Sequence, residues 1–400
     1  MPFPTLDRDL EVDVAIVGGG LTGAGVAYHL RESRHDVALL EAGEAAAGGG
    51  GASARAAGLV LTGISDHLNQ LEHGVGREPA VAVWRYTQEN ARLVEEAVAR
   101  ERIACGFRRP GSYALATFPA EEKDLEASKA ILDAAGIEAR WLDAAALKRR
   151  PGAPRGLAAL FYPRDAVVDA PPLVDGLLAA AVGASGGHVR VFERTAVAAL
   201  DLGSGAGGGA RLETEAGRTV RATVVVLAAG AHAPRLHRFF ADKVLPIRAQ
   251  GFVTAPGPGG RPVLDAPVSA SWGHELYRPL DDGRIVAAGM NWEPKAEEMT
   301  YDDAPTDEFQ GYLEKFRAHR LPAAPADLAI ERRFAAPEAF AADGLPLLGP
   351  VPGQPALLAA CGYTFRGLSI GLAAARSIAR LIQDGTRDYP PCLALARFLG

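Results

Sequence analysis

Gly18, Gly20 and Gly23 stand in a G-x-G-x-x-G spacing, and Glu41 follows Gly23 by 18 residues. In such a pattern the first glycine makes a tight turn, the second lets a pyrophosphate approach the backbone, and the third lets a helix pack on a strand. A carboxylate about twenty residues further on accepts hydrogen bonds from ribose hydroxyls. The chemistry is dinucleotide binding, with the phosphates at a helix N-terminus where free N–H groups and the positive end of the dipole point. Other chemistries lack their patterns. Gly63-Ile64-Ser65 has no nucleophile-elbow flanks, and Asp66, His67 and His73 do not share a helical face at metal-ligand spacing, so no metal site is expected. His29, on the fingerprint helix, reads as structural.

Those glycines need a strand, a helix and a second strand around them. Residues 12–17 are an apolar run, a helical pattern covers 21–33, and a second run at 36–40 leads to Glu41. A glycine-rich loop at 48–51 follows, and then a helical pattern over 80–100 with Val83, Tyr86, Leu93, Val94 and Val98 on one face. A strand at 113–117 and helices at 121–135 and 171–182 come next. The glycine tract 203–209 reads as a flexible hairpin tip. Residues 224–227 form a buried parallel-type strand closing on Ala228-Ala229-Gly230. Short strands with Pro/Gly turns fill 245–289 and suggest an antiparallel sheet, followed by a helix at 306–319 and the loop 321–327. The C-terminus reads as strand, glycine turn and long helix. The second half of the nucleotide domain thus comes from the middle and the far end of the chain, an interleaving that points to flavin rather than nicotinamide.

Four hundred residues exceed one hydrophobic core of roughly 250–300 residues, so two domains are expected. A net charge of −6 with interspersed signs argues against nucleic acid as a partner. Three cysteines, Cys105, Cys361 and Cys392, lie far apart and without ligand spacing, as in a reducing compartment. The first residues have no signal-peptide pattern and no run reaches about 18 apolar residues, so a cytoplasmic protein without a transmembrane segment is expected.

Seven ordered motifs add to this: GGGLTG at 18–23, GASARAAGLV at 51–60, FRRPGSYAL at 107–115, VVVLAAGAHAPRL at 224–236, YRPLDDGRIVAAG at 277–289, DGLPLLGP at 343–350 and GYTFRGLSIG at 362–371. On them the whole chain resembles the D-amino-acid-oxidase (DAO) superfamily of FAD-dependent oxidoreductases, with FRRPGS most similar to its gamma-glutamylputrescine oxidase branch. The resemblance implies an α/β fold: a glutathione-reductase-like Rossmann FAD-binding domain (1–82, 146–236 and 331–400) with an inserted antiparallel-sheet substrate domain (83–145 and 237–330). It places the cofactor on Gly18, Gly20, Leu21, Thr22, Gly23, Glu41 and Ala42. A wrapping loop adds Ser53, Arg55, Ala57 and Gly58, where Ala54-Arg55-Ala56 replaces the usual Gly-Arg-Asn. Val197 falls near the adenine, and Ala229 and Gly230 beside the pyrophosphate. Arg333, Gly362, Arg366, Gly367, Leu368 and Ser369 complete the set. A helix beginning at about Gly367 would turn its N-terminus to the flavin and stabilise the negative charge of the reduced ring.

Arg366, Tyr277 and Glu338 are the candidate catalytic residues. Arg366 replaces a histidine that many relatives carry beside the flavin, and Tyr277 lies on the strand that would roof the pocket. Glu338 falls where amino-acid oxidases hold the substrate carboxylate with an arginine, which favours an amine with a second cationic or polar group over a simple α-amino acid. Arg55 stands where some relatives attach flavin through histidine, and no cysteine lies between Cys105 and Cys361, so FAD is expected to be non-covalent. Residues 284–289 lack the lysine that some sarcosine-oxidase relatives use to speed reoxidation by oxygen. The implied function is oxidation of a C–N bond of a small amine or amino-acid-derived amine by hydride transfer, with the imine hydrolysed and electrons passed to oxygen, forming hydrogen peroxide, or to another acceptor. A dehydrogenase of an α-amino or hydroxy acid using a quinone or electron-transfer protein, a non-catalytic flavoprotein subunit and an NAD-dependent dehydrogenase remain as alternatives.

Overall fold

The computed structural model describes residues 2–45, 51–203, 209–289, 296–321 and 328–399. The loops expected at 48–51 and 321–327 and the hairpin tip expected at 203–209 lie mostly outside these residues. The fingerprint strand, Leu10–Val17, lies between Val37–Leu40 and Thr219–Leu227, with both pairings parallel. Val189–Phe192 and Gln354–Cys361 extend this sheet in parallel on its two sides. Val14 and Ile16 enter one core and Ala15 and Val17 another. Alternation on a strand buried on both faces produces this split. Helices Leu21–Leu30, Ala170–Ala184 and Gly367–Asp384 cover the first face. Packing there is tight enough that a Cβ on Gly25 would come within 2.7 Å of the Ala375 Cβ.

The second sheet runs in the order Ile330–Ala341, Val244–Thr254, Ile285–Gly289, Glu275–Pro279, Val268–Ala270, Ser112–Ala116, Ala158–Tyr162, Arg140–Asp143. Its pairings are antiparallel except for that of Val268–Ala270 with Ser112–Ala116. Pro337 is accommodated in the long strand Ile330–Ala341 because that strand is an edge and needs no donor on its outer side.

Three segments lie elsewhere than the expected domain limits put them. Ala158–Tyr162, expected within 146–236 of the FAD domain, pairs with Ser112–Ala116 in the second sheet. Ile330–Ala341, expected at the start of 331–400, pairs with Val244–Thr254 there. The helix Arg77–Glu101, assigned mostly to the substrate domain, packs on the C-terminal helix: Tyr86 Oη meets Ser377 Oγ at 2.8 Å, and Asn90 Nδ2 donates to the Leu368 carbonyl at 2.8 Å. Long-range pairing decides these placements, and local pattern does not reveal it. Among the described residues no helix is long and apolar enough to cross a membrane.

Candidate active site

A cavity of about 890 Å³ opens between the two sheets. Its size is near the top of the roughly 300–1,000 Å³ range of small-molecule sites. At one end the helix Leu21–Leu30 begins at Gly20, with no side-chain cap and no acidic residue in its first turn. The Leu21 amide donates to Ser53 Oγ at 3.0 Å, tying the wrapping loop to the helix start. Gly18 has φ +108, and a Cβ there would stand 2.5 Å from the Ala228 oxygen. A Cβ on Gly23 would stand 1.9 Å from the Gly18 oxygen, so only glycine lets this helix close on its strand. Glu41 accepts from the amides of Gly19 at 2.6 Å and Gly43 at 2.9 Å. Those two bonds fix the carboxylate at the cavity wall and leave further lone pairs for a sugar hydroxyl.

The far end is built by the turn before the C-terminal helix. Gly362 has φ +70, and Thr364 and Phe365 follow with φ +47 and +64. Two successive non-glycine residues in the left-handed region are strained, and such strain gathers at functional sites. The turn puts Phe365 into the cavity, its ring edge-on to Phe340 at 4.8 Å. Tyr363 Oη meets Thr22 Oγ1 at 3.0 Å, linking the two helix starts that border the cavity. Leu276, Ala288 and Ala249 from the second sheet form its roof.

Of the anticipated cofactor residues, Gly18, Gly20, Leu21, Thr22, Glu41, Ala42, Ser53, Arg55, Ala57, Gly58, Val197, Ala229, Gly230, Gly362, Gly367 and Leu368 line this one cavity. Gly23 acts behind it, in the helix packing described above. Glu338 lines it too, and among the described residues it has no hydrogen-bond or ion-pair partner. The residue is half-buried, and desolvation pushes its carboxyl up to about 7.

Four anticipated residues stand elsewhere. Tyr277 is buried against Phe316 with ring centroids 5.3 Å apart, because strand alternation turns Leu276 to the cavity and Tyr277 to the opposite core. Arg333 lies an odd offset of five positions before Glu338 on one strand and faces the other side, where it donates to Gln310 and Glu314 at 2.6 Å each. Ser369 is buried in the helix, its Oγ accepting from the Leu61 amide at 2.9 Å. Arg366 lines a separate cavity of about 30 Å³ with Trp84 and Tyr162, and it donates through Nη2 to Ser269 Oγ at 3.0 Å. Burial lowers its guanidinium to about 10.

Phe365, Tyr363, His232, Arg235, Tyr301 and Asp303 also line the large cavity and were not singled out in the sequence. Tyr363 and Phe365 sit inside a quoted motif. Tyr301 and Asp303 carry no local signal at all. Cys361 borders the cavity as well, its thiol held protonated by burial, which pushes it up to about 12. An N-terminal helix start, a fixed acidic residue, a small-residue wall and a glycine turn before a second helix start together fit an extended dinucleotide such as FAD.

Comparison with known proteins bears on that fit. Residues 13–381 match the family model described as DAO, FAD dependent oxidoreductase. Glycine oxidase of Geobacillus kaustophilus (strain HTA426) is 29% identical over 397 residues, covering 97% of each chain. The crystal structure of glycine oxidase from Geobacillus kaustophilus superposes with a TM-score of 0.80 at 26% identity, covering 98% of this chain and 100% of that one. Gamma-glutamylputrescine oxidoreductase of Escherichia coli (strain K12) is 32% identical over 161 residues, a stretch covering 40% of this chain and 37% of that enzyme.

Proposed function

The chain belongs to this family of FAD-dependent oxidoreductases, and from that premise we propose that it oxidises a C–N bond of a small amine carrying a further cationic group. Glu338 carries the reading: a carboxylate that faces the FAD cavity with no partner among the described residues. A cationic substrate group gives that carboxylate a counter-charge in a desolvated place, whereas an α-amino acid brings a second carboxylate that it repels. The C–N half of the proposal is supported by relatives whose names refer to glycine and to gamma-glutamylputrescine.

Bound FAD supplies the hydride acceptor. Residues 18–22 with Ser53 would hold its pyrophosphate, Glu41 would accept from its ribose hydroxyls, and residues 362–368 would border its ring. The start of the helix Gly367–Asp384 favours negative charge developing beside it. Binding is non-covalent in this proposal, since residues 51–58 contain no histidine and the Cys361 thiol keeps its proton. The apolar roof lowers the pKa of a bound amine by desolvation, making the neutral form available without a dedicated base. Water then hydrolyses the imine, and electrons leave to oxygen or to another acceptor. The test is anaerobic addition of an amine panel to the yellow holoenzyme. Bleaching by amines with a second cationic centre is expected, and bleaching by hydroxy acids alone would refute the proposal. Admission of air afterwards distinguishes an oxidase, which recolours, from a dehydrogenase.

A further inference from the structure

Residues 298–306 form a strap whose two ends are clamped to one strand, Val244–Thr254. At its start the buried Glu298 accepts from Arg248 Nε at 2.8 Å and Gln250 Nε2 at 3.0 Å. At its end the Thr306 amide donates to Gln250 Oε1 at 3.0 Å, and Gln250 Nε2 donates to Thr306 Oγ1 at 2.8 Å. A short loop whose ends are held close together forms a compact body. Its middle reaches the large cavity, which Tyr301 and Asp303 line. The Tyr301 ring stacks on His232 with centroids 5.1 Å apart and lies 3.7 Å from the Arg235 guanidinium carbon. Asp303 Oδ2 accepts from Arg55 Nη2 at 2.7 Å. Arg55, His232 and Arg235 come from the wrapping loop and from the turn after the Ala-Ala-Gly wall, and all three line the cavity.

We propose that this strap is a latch over the cofactor: Asp303 and Tyr301 are positioning residues that hold Arg55, His232 and Arg235 closed over FAD, and FAD leaves only when the strap lifts. The inference rests on FAD as the cofactor and not on the identity of the substrate, so its failure leaves the proposed reaction untouched. An exposed ion pair alone accounts for a small effect, and the ring and cation contacts add to it.

The test follows release of FAD from the holoenzyme as a rise in flavin fluorescence on dilution. Asp303→Asn should speed release about two- to fivefold, and Tyr301→Ala on the order of tenfold, with cation–π and ring contacts both lost. Tyr301→Phe, which keeps the ring, should restore the wild-type rate. Asp302→Asn, an exposed neighbour on the same strap, serves as the control and should release FAD at the wild-type rate. Added salt should accelerate release from the wild type more than from Asp303→Asn. Unchanged release from both Tyr301→Ala and Asp303→Asn overturns the latch. Equal acceleration by Asp302→Asn also overturns it, since that marks general loosening.

Discussion

An ionised carboxylate without a direct ion-pair partner is costly in a desolvated place, and among the described residues the Glu338 side chain has none. Its pKa, raised by burial to about 7, makes the charge pH-dependent in the range where the enzyme can be assayed. The anion that attracts a cationic substrate is present above that value and lost below it. For such an amine, kcat/KM is therefore expected to fall as pH drops through about 7, and this limb should disappear in Glu338→Gln. The same variant should lose on the order of 30-fold or more in kcat/KM at pH 8, as truncating one partner of a buried charge pair does. Stability has the opposite sign. A carboxyl whose folded pKa lies above its unfolded value stabilises the fold at low pH and loses that contribution as pH rises through the folded value. Without FAD, Glu338→Gln should raise Tm relative to wild type more at pH 8 than at pH 5; Asp165, also pushed up by burial, to about 6, is common to both proteins. Glu338 was legible from the sequence only through the family resemblance, at the position where amino-acid oxidases carry an arginine. Arg333 and Tyr277 show the limit of such reading, because which face of a strand a residue occupies depends on a register that only the assembled sheet supplies.

Two helix starts border the cavity, and each depends on an identifiable contact. Gly23→Ala puts a Cβ into the Gly18 oxygen, so it should cost about 1–3 kcal/mol by overpacking and yield protein depleted in FAD. Thermal unfolding and the flavin-to-protein absorbance ratio measure both effects. The C-terminal helix start is held from the side by Asn90, which donates to the Leu368 carbonyl and accepts from the amides of Leu372 at 2.9 Å and Ala373 at 3.0 Å. Asn90→Ala removes these three buried hydrogen bonds and should destabilise by about 1–3 kcal/mol. It should also weaken FAD binding, although Asn90 does not line the cavity. The first helix was readable because strand, glycines and Glu41 are contiguous. Asn90 was not, since its partners lie almost three hundred residues away, and the left-handed Thr364 and Phe365 break the local rule that would have flagged glycine.

At the scale of the molecule the mixed sheet around the fingerprint strand and its helices supply one wall of the cavity, and the second sheet supplies the roof, the anchor of the strap and Glu338. Chain length, the glycine fingerprint and the Pro/Gly-punctuated short strands, together with the family resemblance, made the two-part architecture legible. They did not reveal which sheet receives Ala158–Tyr162 and Ile330–Ala341, because that choice is made by pairing across the chain. The placement of Ile330–Ala341 matters most, since it carries Glu338 into the cavity from the substrate side. The most direct test is the anaerobic rate constant of flavin reduction by a small diamine, compared with glycine and D-alanine, in wild type and Glu338→Gln. Faster reduction by the diamine in wild type, with the advantage collapsing in Glu338→Gln, is the predicted result. Faster reduction by glycine or D-alanine than by any cationic amine would contradict the account.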